Sequence, residues 1–156
     1  MTGEGSATGG VPRPLPDLND PITGPHWRAA LRGRLELPAC ADCGFVNWPP
    51  ATWCPRCLSQ AVEWRAVSGR ARLWSWAVYE TALHPAFASE VPYIVAGVEL
   101  DEGPYLTTNI LGADPGALVV GAALTVVFRE VADGVVLPCF RLDDRPRDGE
   151  LTNKHP

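Results

Sequence analysis

The chain has 156 residues, enough for one compact domain or two small ones sharing a core, which excludes a multidomain enzyme within it. Thirteen Lys and Arg against eighteen Asp and Glu leave a formal charge of −5, so no overall attraction to nucleic-acid phosphates or anionic lipid is expected. Apolar residues at 46% suit a buried interior, while 15 Gly and 16 Pro favour turns and short strands, so the expected class is mainly β.

Residues 1–17 combine Gly3, Gly5, Gly9 and Gly10 with Pro12-Arg13-Pro14-Leu15-Pro16, too little apolar surface to offset ordering entropy, and read as a disordered tail. Its Pro-rich half is already extended and suited to lying along a partner. The start, Met1-Thr2-Gly3-Glu4-Gly5-Ser6, has neither a basic cluster nor an apolar signal core, and the longest apolar run, 117–128, is broken by Gly121 and Thr125. A cytoplasmic location with no membrane contact is therefore expected. Residues 18–36 form an N-terminal helical segment: Thr23 as a cap, Pro25, apolar Trp27, Ala30 and Leu31, and a closing Gly33 predict a short helix docked through Trp27.

Residues 37–67 hold four of the five cysteines and no clear periodicity. Cys40-Ala41-Asp42-Cys43-Gly44 and Cys54-Pro55-Arg56-Cys57 make a C-x2-C, C-x2-C pattern separated by ten residues. Two residues between thiolates let one tight turn aim both sulfurs at a single ion, and Gly44 permits the positive φ that completes the turn. Four thiolates suit Zn²⁺, with iron as the main alternative. The metal is expected to be structural: a closed four-sulfur shell leaves no position for water or substrate, and so short a block cannot fold on its own apolar surface. Trp48 and Trp53, between the two pairs, either cover the cluster or face a partner.

Residues 68–142 contain five strand-like runs, at 71–80, 93–101, 105–111, 118–129 and 135–142, separated by turn formers such as Asp101-Glu102-Gly103-Pro104 and Ala132-Asp133-Gly134. Five short strands predict a small closed barrel, of which the OB-fold is the commonest five-stranded form. Cys139, in the last strand, reads as a small core residue, since His26, His84 and His155 are all remote in sequence and form no catalytic signature with it. His84 reads as a loop residue beside Phe87. Residues 143–156 are polar and read as a second tail.

The order of these parts resembles the zinc-ribbon/OB-fold accessory proteins of domain-of-unknown-function family 35. It is carried by Trp27, Gly33-Arg34-Leu35, both cysteine pairs with Pro49-Pro50 between them, Trp64, Ser68-Gly69-Arg70-Ala71, His84-Pro85-Ala86-Phe87, Pro92-Tyr93-Ile94-Val95-Ala96, 98–104 and Gly121. The resemblance spans residues 18–142; Leu58, where a small residue is usual after the second pair, departs from it. It implies a five-stranded OB-fold barrel preceded by a short helix and a rubredoxin-like zinc ribbon, with Zn²⁺ on Cys40, Cys43, Cys54 and Cys57. It also implies a non-catalytic subunit that partners thiolase-superfamily enzymes, including steroid side-chain aldolases, or a MaoC-like enoyl-CoA hydratase, in a hetero-oligomer with a shared acyl-CoA channel.

A CoA or partner surface of that kind needs cations beside an apolar strip, and Arg65, Arg70, Arg72 and Trp74, where the ribbon joins the barrel, supply both. No Ser/His/Asp signature, phosphate-cradling Gly loop or paired-acid motif is present, so no catalytic residue is assigned. Two other functions compete. OB-folds bind nucleic acid, but residues 70–142 carry four Arg against eight acids, the wrong balance for a basic groove. A stand-alone acyl-CoA-binding protein or hydrolase would show saturable acyl-CoA binding by the isolated chain.

Overall fold

Asp20 sets the turn that leads into the first helix of the structure, a computed structural model that describes residues 11–143. Its carboxylate accepts from the backbone N–H groups of Ile22 and Thr23 and from the Thr23 hydroxyl, so Thr23 makes no side-chain cap to the helix that follows. That helix, α1 (Gly24–Leu31), begins where Gly24 passes so close to Leu18 that a Cβ would lie 2.5 Å from the Leu18 carbonyl oxygen. It closes at Gly33, whose φ of +68° suits glycine. The buried face is His26, Ala29 and Ala30, with Trp27 half-buried and Leu31 exposed, one position offset from the expected Trp27, Ala30 and Leu31 stripe.

Two antiparallel strands then form the ribbon, β1 (Glu36–Cys40) and β2 (Val62–Ala66), paired from Glu36 opposite Ala66 to Cys40 opposite Val62. Five more strands close a barrel in the order β3-β4-β5-β7-β6: β3 (Arg70–Tyr79), β4 (Tyr93–Leu100), β5 (Tyr105–Ile110), β6 (Ala123–Ala132) and β7 (Val135–Leu142). All neighbours are antiparallel except β5 and β7, which meet in parallel at a single residue pair, Ile110 and Phe140. Strand β4 alternates without a break, sending Ile94, Ala96, Val98 and Leu100 inward.

The fourth barrel strand starts later and ends later than the expected 118–129. Gly121 has φ +85°, which breaks the extended run, and Val119 and Val120 project outward at 61% and 69% exposure. An irregularity between Glu130 and Ala132 carries β6 on to the turn before β7. The core joins Leu73, Val98, Leu100, Leu124 and Phe140 of the barrel with Leu35 and Leu37 from the ribbon side. Residues 11–17 contain neither helix nor strand, but Arg13 is half-buried against the barrel, so this part of the expected tail lies along the chain's own body. The remainder of both expected tails, 1–10 and 144–156, lies outside the described residues. Among the described residues no helix is long and apolar enough to cross a membrane.

Candidate metal centre and contact surface

The two cysteine pairs sit in two backbone turns of the same kind. Cys40 N–H donates to the Phe45 carbonyl and Gly44 N–H to the Cys40 carbonyl, each at 2.9 Å. In the second turn Cys54 N–H donates to the Ser59 carbonyl at 2.8 Å and Leu58 N–H to the Cys54 carbonyl at 2.9 Å. The fifth residue of each turn is left-handed, Gly44 at φ +72° and Leu58 at φ +63°. Leu58 therefore does with a side chain what Gly44 does without one, at a steric cost.

The turns face each other and bring all four thiol sulfurs within 4.8 Å of one another. Cys40 Sγ lies 3.6 Å from Cys57 Sγ, and Cys43 Sγ lies 3.6 Å from Cys54 Sγ. A disulfide would need about 2.05 Å. The edge of a tetrahedron with metal–sulfur bonds of about 2.3 Å is about 3.8 Å, close to what is observed. Cys40 and Cys54 are buried beneath the turns and Cys43 and Cys57 are exposed.

The thiols do not ionise alike. Backbone N–H groups of Cys43 and Asp42 hold Cys40 down to about 7. The Ser59 backbone favours the Cys57 thiolate, but the Cys43 sulfur, desolvation and the Cys40 and Cys54 sulfurs together outweigh it and push Cys57 up to about 12. Four sulfurs this close become four thiolates only around a cation, and an all-sulfur set selects a soft one. The donor set thus fits the structural Zn²⁺ of a rubredoxin-like ribbon.

The expected contact residues are divided between two sheets. Arg65 lies on β2 and pairs with Glu63 at 2.9 Å. Arg70, Arg72 and Trp74 share the outer face of β3. Arg70 Nε is 3.1 Å from Asp101, and Arg72 lies across from Glu99 on β4. Trp74 occupies the bulge between Leu73 and Ser75, is 57% exposed, and meets Tyr105 edge to face at 5.5 Å. In the sequence, Tyr105 is marked only by its place opening β5 directly after Gly103-Pro104.

His26 and Cys139, remote in sequence, line one cleft with Trp27 and Trp48 where β5 and β7 separate. The His26 ring contacts Trp27 at 4.7 Å and Trp48 at 4.5 Å, and its Nδ1 donates to the Glu36 carbonyl at 2.9 Å. Trp48 thus covers the helix and cleft rather than standing free, whereas Trp53 is 48% exposed. Burial pushes the Cys139 thiol up and the His26 imidazole down, which keeps the thiol protonated and gives it the character of a core residue. His84 caps the short turn Pro85–Phe87, its Nδ1 accepting from the Ala86 N–H at 3.2 Å.

Residues 27–63 match the profile of the ChsH2 rubredoxin-like zinc ribbon domain and residues 64–129 that of the ChsH2 C-terminal OB-fold domain. The chain is 36% identical over 132 residues to a probable enoyl-CoA hydratase alpha subunit of Thermomonospora curvata, covering 83% of this chain and 40% of that protein. It therefore spans about two fifths of that relative's length. A DUF35 domain-containing scaffold protein of Methanothermobacter thermautotrophicus is 36% identical over 121 residues, 74% of this chain and 90% of the relative. Among solved structures, a chain of the Ltp2-ChsH2(DUF35) aldolase superposes with a TM-score of 0.74 at 33% identity, covering 83% of this chain and 98% of that one. With its paired cysteine turns set on a five-stranded barrel, this chain belongs to the DUF35 family and carries the ChsH2-type zinc ribbon and OB-fold.

Proposed function

We propose that the chain is a non-catalytic accessory subunit of an acyl-CoA-processing enzyme, a thiolase-superfamily aldolase or thiolase acting in steroid side-chain or other lipid breakdown. The observation that carries this reading is the likeness to the Ltp2-ChsH2(DUF35) aldolase, which extends over 98% of the solved chain. Zn²⁺ held by Cys40, Cys43, Cys54 and Cys57 pins the ribbon, and its closed sulfur shell offers no position for substrate. The reading places the subunit in the cytoplasm, in a hetero-oligomer, with the acyl-CoA thioester bound where the two polypeptides meet. A MaoC-like hydratase is the second partner class, favoured by the identity with the hydratase alpha subunit.

Trp74, Tyr105 and Arg72 form the docking surface in this reading. Arg65 and Arg70 are already neutralised by Glu63 and Asp101, and Arg72 faces Glu99, an arrangement that suits a protein surface better than CoA phosphates. Co-expression with a thiolase-like aldolase of the Ltp2 type should give a complex on size-exclusion chromatography. Its acyl-CoA cleavage should fall at least ~10-fold when this chain is omitted, and Trp74→Ala should weaken assembly by ~10-fold or more. A partner equally stable and active alone would overturn the reading.

A further inference from the structure

Arg13 is the anchor of the N-terminal segment. Its guanidinium lies over the Phe87 ring, 4.6 Å from the centroid, and pairs with Glu90 Oε1. The other Glu90 oxygen, Oε2, accepts from Arg129 of β6 at 2.9 Å. Each carboxylate oxygen thus has its own arginine, and Arg129 keeps Glu90 in place whether or not Arg13 is present. The ring wall is braced as well: Phe87 lies 6.3 Å from Tyr93, which stacks on Tyr79 at 5.1 Å with planes 6° apart. An aromatic face beside an oriented carboxylate is what recognises a planar cation.

Little else holds the segment. Val11 and Leu15 are 53% and 44% exposed, and Pro12 and Pro14 are exposed too. Among the described residues, Arg13 carries the hydrogen bond, the ion pair and the ring contact of residues 11–16. A segment serving only to cover the barrel would bury its apolar side chains; this one presents a single arginine on a proline-stiffened backbone.

We propose that the cleft between Phe87, Glu90, Tyr93 and Arg129 is an exchangeable guanidinium-binding site, filled in cis by Arg13 and able to take in trans an arginine on an extended segment of a partner protein. Arg13 and the incoming arginine compete for the same ring face and the same carboxylate oxygen, so release of residues 11–17 is coupled to capture of the partner segment.

The test uses the full chain and an acetylated, amidated peptide with the sequence of residues 11–15, titrated by amide chemical shifts. Arg13→Ala, which empties the cleft, should bind the peptide saturably with shifts centred on Phe87 and Tyr93. The wild-type chain should bind at least ~10-fold more weakly because its own arginine competes. Arg13→Ala combined with Glu90→Gln should lose at least ~10-fold of the affinity of Arg13→Ala alone. A peptide with lysine at the central position should bind Arg13→Ala several-fold more weakly, since it lacks the planar face. No saturable shift with Arg13→Ala, or equal affinity after Glu90→Gln, would overturn the proposal. Wild-type amide shifts for Leu73 and Val98, in the barrel core away from the cleft, establish in each variant that the barrel is intact.

Discussion

Gly44 and Leu58 hold the same left-handed conformation in two turns with the same hydrogen bonds, so they isolate the steric effect of a Cβ at that position. Nothing lies within 4 Å of a Cβ built on Gly44, and Leu58 is 72% exposed, so packing barely enters either comparison. Gly44→Ala should cost about 1 kcal/mol and Leu58→Gly should gain up to about 1 kcal/mol, both from left-handed backbone strain. Gly69 differs: at φ +72° its Cβ would also lie 2.3 Å from Val126 Cγ1, on the strand whose N–H bonds the Gly69 carbonyl at 2.8 Å. Gly69→Ala should therefore cost about 2–4 kcal/mol, strain and overpacking together. Urea midpoints of the three variants check this order; a Gly69→Ala midpoint equal to that of Gly44→Ala would refute the overpacking.

At the scale of elements, α1 is wedged between ribbon and barrel by His26, 2% exposed between Trp27 and Trp48. Burial holds its imidazole below the usual 6.5, and the bond to the Glu36 carbonyl opposes this more weakly. Between the two values the unfolded chain binds more protons than the folded one, so stability rises with pH there. The contribution is full above about 6.5 and declines as pH falls through the lower folded value. Urea midpoints at pH 7.5 and pH 5 should show a shallower pH dependence for His26→Gln than for the wild type. Any thiol titration at the metal site is common to both proteins and cancels in the comparison; identical slopes would remove His26 from the account. Much of the element plan was legible in advance. The barrel strands show because apolar, β-rich runs are cut by turn formers, with β4 alternating buried and half-buried positions throughout, and the cysteine turns because a two-residue spacing is a local constraint. Strands β1 and β2 did not show, because β1 buries Leu37, Pro38, Ala39 and Cys40 in succession, which erases the period of two. The Glu90 cleft was equally invisible: Arg13 and Glu90 are 77 residues apart, and only the closed barrel brings them together.

For the whole molecule the question is whether ribbon and barrel unfold separately. Leu35, just before β1, and Leu37 within it belong to the same buried cluster as Leu73, Val98 and Phe140. The connection is bonded from both sides: Val67 N–H donates to the Leu35 carbonyl at 2.9 Å, and Ser68 N–H donates to Glu102 at 2.7 Å. Losing the ribbon would expose part of the barrel's own interior, so the metal stabilises both. In protein substituted with Co²⁺, the visible thiolate–metal band and the far-UV circular dichroism should therefore disappear at one temperature. Cys57→Ser or a strong chelator should lower that temperature by ~10 °C or more, because several kcal/mol of metal-binding free energy are lost. If the visible band vanished well below the loss of strand signal, the barrel would be standing alone, and Leu35 and Leu37 would be passengers on its surface rather than part of its core.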